Sequence, residues 1–318
     1  MSDFHLPNDT PRHHRNRRLR RRISPARMAR VLPSALTLGN LLCGFAAIFY
    51  ASRPALLPGG EPNLVLGYWT PLTFAGSLVF IGMIFDALDG RVARMTRQTS
   101  ELGEQLDSMS DMVTFGVAPA FCVIQLVDIG VPFLGAARVD TYFDRAVLVI
   151  AGVYAACCAL RLARYNIEID NPEESDHLSF KGLPSPAAAG TVASLVLLHQ
   201  SLIADHATAS VITGIGMVLI TLLTAVGMVS TMRYPHLLNK YLRGRAPFHI
   251  IATAVLLLIP AMLDLNITLA VVFVAYALST PVLMVVAVLR GKPVPQPLRF
   301  TGADESEDDE SPRRAENQ

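Results

Sequence analysis

Charge is scarce in this sequence. Only 17% of its 318 residues are Asp, Glu, Lys or Arg, where a soluble domain carries about 25%. Apolar residues reach 52% without counting glycine, and the mean hydropathy is +0.40. The scarcity of charge excludes an ordinary soluble globule. The excess of apolar surface excludes a disordered chain, because that surface demands burial. Cysteine is scarce too: Cys43, Cys122, Cys157 and Cys158 fall in apolar runs with no paired spacing. That excludes a disulfide framework and a zinc site, and leaves four small core residues. No small-residue cleavage site separates the basic N-terminal stretch from the first apolar run, so no cleavable signal peptide is expected. No internal repeat is visible.

What is present is a series of long apolar runs. A spanning helix needs about 20 such residues. Eight stretches fit, at roughly 31–52, 70–90, 106–127, 145–163, 185–204, 209–231, 247–264 and 267–289. The first contains no charge from Val31 to Tyr50. Gly and Pro recur inside the runs, as membrane helices tolerate. An even number of spans puts both termini on one side. The positive-inside rule makes that side the cytoplasm of the cell membrane, because 24 of the 27 Lys and Arg residues then lie there. Only Arg53, Arg138 and Arg145 remain outside. Six spans would keep the same sidedness.

The expected organisation has four parts. Residues 1–30 form a basic tail, with nine Arg between positions 12 and 30 that suit anionic headgroups. Residues 31–231 form the transmembrane core. Residues 232–290 add a basic loop and about two further spans. Residues 291–318 form a disordered tail, with six acids between 304 and 310. The fold class is all-α integral membrane.

One stretch breaks the apolar pattern. Asp86 and Asp89 are three apart near the end of the second span, and Asp107 and Asp111 are four apart at the start of the third. On helices each pair shares a face. The short link around Ser100 to Gly103 would bring the two helix ends together, and Gly90 and Gly103 remove side chains where a ligand or neighbouring helix must come close. Four carboxylates at a membrane boundary repel one another. They are either solvated and paired with Arg91, Arg94 or Arg97, or they hold divalent metal. Oxygen donors suit Mg²⁺ or Mn²⁺, and paired metals can clamp a phosphoryl displacement.

The full run is Asp86-x2-Asp89-Gly90-x2-Ala93-Arg94-x8-Gly103-x3-Asp107-x3-Asp111. It resembles the signature of the CDP-alcohol phosphotransferase family at every fixed position and every gap. The resemblance implies six core helices around a cytoplasm-facing polar cavity and a homodimer. It also implies transfer of a phosphate-linked group from a CDP-activated donor to an alcohol. It makes Asp86, Asp89, Asp107 and Asp111 the ligands of two divalent cations, Mg²⁺ or Mn²⁺, and Asp111 the proton acceptor as well. It puts Gly90, Arg94 and Ser100 against the donor. Ser34 and Thr37, in Ser34-Ala35-Leu36-Thr37, would meet the nucleotide; Ser34 after Pro33 also reads as a helix cap.

Three stretches outside the signature look like the integral-membrane branch of that family that uses L-serine. They are Ser110 to Ala120, Leu160 to Asn166, and Phe180 to Pro186. No His-x-Lys motif of the unrelated phospholipase-D-like type is present. The implied reaction joins CDP-diacylglycerol and serine to give phosphatidylserine and CMP. A serine carboxylate wants an Arg fork or a Lys. Arg161, Arg164, Asn166 and Lys181 are candidates, and each alone also reads as a positive-inside or headgroup residue. Rival readings are another acceptor (glycerol 3-phosphate, inositol phosphate or choline), a secondary transporter coupled through the four acids, and a scaffold with a structural ion. Nucleic acid is not an expected partner.

Overall fold

The computed structural model describes residues 25–96, 101–130, 142–170, 179–203, 207–230, 232–235 and 260–290. Residues 1–24, the tail 291–318 and most of the expected span 247–264 lie outside the described residues, while residues 25–30 of the expected basic tail begin the first helix. Helix α1 covers Pro25–Ala51 and α2 covers Pro71–Thr96. Helix α3, Glu101–Asp111, runs through a π-helical stretch, Met112–Val117, into α4, Ala118–Gly130. Helix α5 is Tyr142–Asp170, α6 is Ser185–Leu198 and α7 is Ala207–Val229. Helix α8 is Leu265–Leu289, opened by Asp264, whose carboxylate accepts from the backbone N–H of Asn266 and Ile267.

Among the described residues, six helical stretches are long and apolar enough to cross a membrane. They are Leu32–Ala51, Pro71–Ala93, Leu102–Asp128, Tyr142–Ile167, Thr208–Val229 and Leu265–Val286. The chain is therefore an all-α, multi-pass membrane protein. Their outward faces carry exposed Leu42, Phe45, Ile84, Leu219 and Leu283, as expected where the solvent is hydrocarbon. Pro33 in α1 and Pro281 in α8 sit inside helices, which neighbouring helices make tolerable in lipid.

The stretch expected to span at 185–204 is helical but enclosed by its neighbours. It is the short helix α6 followed by a π turn, His199–Ile203. It is buried rather than lipid-facing, and packs against α2, α4, α7 and α8. Small residues such as Ala188, Ala189 and Ala193 let those neighbours come close. The Cys122 and Cys158 side chains are buried, and Cys43 and Cys157 are half-buried; all four are free thiols.

A small ribbon was not foreseen. Strand β1, Ser179–Lys181, pairs antiparallel with β2, Arg233–Pro235, with Phe180 opposite Tyr234. The pairing satisfies backbone groups in the two connecting segments. Gly182 follows at φ +86, and its N–H donates to the Met232 carbonyl at 2.7 Å. The positive φ suits glycine.

Candidate active site

The helical spacing of the acids does what it promised on each helix. Asp86 and Asp89 project from α2, and Asp107 and Asp111 from α3. Carboxylate oxygens of Asp86, Asp89 and Asp107 all lie within 4.8 Å of one another. Asp111 stands beside this trio, within electrostatic reach of Asp86, Asp107 and Asp89. Asp89 and Asp111 are buried, at 5% and 8% exposure. Two oxygens, Asp89 Oδ2 and Asp107 Oδ1, are buried with no protein partner.

A buried, unpaired carboxylate oxygen is costly. Here two such atoms belong to one cluster of like charges. The donor set is all oxygen and anionic, which fits a hard divalent cation such as Mg²⁺ or Mn²⁺. The residues present therefore fit the metal that the signature implies.

Helix α1 forms the wall behind the acids. Thr37 is buried, donates from Oγ1 to the Pro33 carbonyl at 3.1 Å and lies within hydrogen-bond reach of Asp89. Asn40, three residues on, is fully buried and donates from Nδ2 to Asp111 Oδ1 at 2.9 Å. Two more bonds flank it. Ser110 Oγ donates to the Thr37 carbonyl at 2.9 Å, and Thr114 Oγ1 donates to the Asn40 carbonyl at 2.9 Å. Thr114 lies in the π-helical stretch that begins just after Asp111. Such interruptions recur at functional sites.

Two glycines make this approach possible. A Cβ on Gly82 of α2 would lie 2.5 Å from Thr114 Cγ2 and 2.9 Å from Asn40 Oδ1. A Cβ on Gly44 of α1 would collide with Thr114 Oγ1. Gly90 is different: a Cβ there meets nothing within 4 Å. Its bareness serves no packing contact among the described residues.

The candidate serine residues divide. Asn166 on α5 donates from Nδ2 to Ser108 Oγ at 2.9 Å, which brings it next to Asp107 on α3. Arg161 is buried at 5% exposure, with Nε donating to the Leu183 carbonyl at 3.3 Å and its guanidinium 5.7 Å from the Tyr165 ring centroid. Arg164 is half-buried one turn away. Lys181 pairs by backbone with Arg233. Its side chain, that of Arg94, and Ser100 altogether lie outside the described residues. Ser34 is half-buried on α1.

Asn40, Ser108, Ser110 and Thr114 were not singled out from the sequence. Asn40 had a signal: it is an amide inside an apolar run, and polar groups in membrane helices are costly and tend to be used. A search for charge passes over it.

On the far side of α2, a cavity of about 810 Å³ lies between that helix and α8, lined by Phe80, Ile84, Leu88, Arg91, Leu265 and Phe273 among others. None of the four acids lines it.

Comparison with known proteins places the chain in a family. Residues 30–226 match the family described as CDP-alcohol phosphatidyltransferase. A Helicobacter pylori protein named CDP-diacylglycerol–serine O-phosphatidyltransferase is 33% identical over 207 residues, covering 65% of this chain and 72% of that one. Proteins of the same name from Methanocaldococcus jannaschii and Bacillus subtilis are 33% and 29% identical, over 178 and 205 residues. The alignments cover 56% and 64% of this chain, and 72% and 90% of those relatives. With its acid signature, its membrane helices and a match across most of its length, the chain belongs to the CDP-alcohol phosphatidyltransferase family and is a phosphatidyltransferase.

Proposed function

We propose that this protein transfers the phosphatidyl group of CDP-diacylglycerol to the hydroxyl of L-serine, giving phosphatidylserine and CMP. The observation that carries the reading is the cluster of Asp86, Asp89 and Asp107 oxygens within 4.8 Å, two of them orphaned in the cluster, with Asp111 alongside. The names of the relatives support serine as acceptor. Asp86, Asp89, Asp107 and Asp111 would hold two divalent cations, which supply neutralisation of the diphosphate charge and of the charge that develops in the transition state.

The chain's own groups do the rest. Gly90 leaves open space for the nucleotide and diphosphate. Arg94, Ser100 and Thr37, with Ser34 beyond, meet the donor. Arg161, Arg164, Asn166 and Lys181 receive the serine, its carboxylate on an Arg fork. Asp111 accepts the proton of the serine hydroxyl. The serine oxygen bonds to the lipid-side phosphorus. The bond from that phosphorus to the bridging oxygen breaks, and CMP leaves with the electron pair. Direct displacement needs no enzyme-bound intermediate.

The reading includes the cell membrane as location, with the acid cluster and both termini cytoplasmic. It is supported by the basic residues gathered on that side. It also includes a homodimer, which the family resemblance implies, and a core at 31–231 extended by the C-terminal spans.

The test is purified protein in lipid with CDP-diacylglycerol and a panel of alcohols, following CMP and lipid product. Serine-dependent CMP release is expected. A better rate with glycerol 3-phosphate, inositol phosphate or choline would move the acceptor. Solute flux without CMP release would favour a transporter.

A further inference from the structure

We infer that Asn40 is a positioning residue for Asp111: it ties down one carboxylate oxygen and leaves the other free for the reacting groups. This rests on the reading of Asp111 as proton acceptor.

Asn40 sits in the first membrane helix and is fully buried. An amide there is costly unless it is used. A carboxylate only accepts hydrogen bonds, so it is the amide N–H that faces Asp111 Oδ1 at 2.9 Å. The other end of the same amide, Oδ1, is buried and has no partner. An amide serving only to join helices would be expected to satisfy both ends. Here only the end that meets Asp111 is satisfied.

The joining of α1 to the third span is already done by others. Ser110 donates to the Thr37 carbonyl and Thr114 to the Asn40 carbonyl, one on each side of the Asn40 side chain. What Asn40 adds is a grip on one atom. Rotation of the Asp111 carboxylate would exchange its oxygens, and the bond opposes that rotation. The donor is also neutral. A Lys or Arg in its place would orient the carboxylate but pair with its charge. An amide orients the group without pairing with its charge. Gly82 on α2, one turn before Asp86, has no side chain where one would press on Asn40 Oδ1. Space for this amide orientation is therefore built by the same helix that carries Asp86 and Asp89.

The experiment measures serine-dependent CMP release by the purified full chain and four variants: Asn40→Ala, Asn40→Ser, Thr114→Val and Asp111→Asn. Groups that orient a catalytic side chain are worth about 10- to 100-fold. Asn40→Ala should lower kcat by that factor, with KM for serine and for CDP-diacylglycerol within about twofold of the parent. Asn40→Ser keeps a small polar side chain and should fall between parent and Asn40→Ala; it replaces that variant if the alanine protein does not insert. Thr114→Val removes a neighbouring bond between the same helices while sparing Asp111, and should keep kcat within about threefold.

The inference is overturned by three results: Asn40 variants with the parent's kcat, an effect confined to KM, or an equal loss in Thr114→Val. A parent without serine-dependent CMP release overturns the functional reading, and the inference with it. An active Asp111→Asn beside an inactive Asn40→Ala overturns the role of Asp111 as proton acceptor, and with it this inference.

Discussion

Asn166 and Ser108 join α5 to α3 through an amide–hydroxyl bond of 2.9 Å, one residue from Asp107. This contact ties the end of α5 to the helix that carries two of the four acids. Asn166→Ala is expected to raise the KM for serine by about tenfold, the scale of one or two lost hydrogen bonds. The KM for CDP-diacylglycerol should hardly move. Initial-rate kinetics with each substrate varied in turn decide it. An unchanged serine KM would make the contact purely a helix joint.

The two arginines of α5 should behave differently. Arg164→Lys replaces a planar fork with a point charge and should raise serine KM about tenfold if it holds the carboxylate. Arg161 also supports the structure, because its Nε holds the Leu183 carbonyl in a buried setting. Arg161→Lys should therefore lower the thermal midpoint in detergent as well as raise the serine KM. Serinol, which lacks the carboxylate, should be a poor substrate and lose little further in Arg164→Lys.

Each of the four acids should be needed. Asp86→Asn, Asp89→Asn, Asp107→Asn and Asp111→Asn each remove charge and geometry from the cluster, and turnover should drop by at least about a hundredfold while the protein still inserts. Chelation should abolish CMP release by the parent, and added Mg²⁺ or Mn²⁺ should restore it. Near-normal product from any of the four, or activity indifferent to chelator, would remove the metal assignment.

Gly82 and Gly90 make a matched pair. Gly82→Ala would drive a Cβ to 2.5 Å from Thr114 Cγ2, and overpacking of this kind costs about 1–3 kcal/mol. A lower thermal midpoint is expected. Gly90→Ala meets nothing within 4 Å, so the midpoint should hold while activity falls because the nucleotide needs that space. Equal stability of both variants would contradict the packing; full activity of Gly90→Ala would contradict the nucleotide contact.

How much was legible varies by residue. The six long apolar helices among the described residues follow from run length, because burying a backbone in hydrocarbon leaves the helix as the local solution. The stretch 185–204 was apolar enough to read as a span, and its enclosure by other helices could not be read from it. Composition does not distinguish a helix wrapped in lipid from one wrapped in other helices; Ala188, Ala189 and Ala193 packed against neighbours make that distinction. The ribbon of Phe180 opposite Tyr234 joins segments more than fifty residues apart, and no local pattern announces it.

The acids were the most legible part. Asp86, Asp89, Asp107 and Asp111 are spaced by helix geometry within each pair, and helix periodicity is a property of sequence. The same periodicity fixes that Thr37, Asn40 and Gly44 share a face of α1. It does not fix what that face meets. Only the tertiary structure decided that the face meets Ser110, Asp111 and Thr114, because the partners lie more than seventy residues away. The sequence by itself determined the membrane class, the carboxylate pairs and their family. The fold decided which neutral side chain holds Asp111, which glycine is packing and which is open, and which arginine is buried. These depend on contacts between helices, whose register is set by the packing of whole surfaces and not by any one stretch of chain.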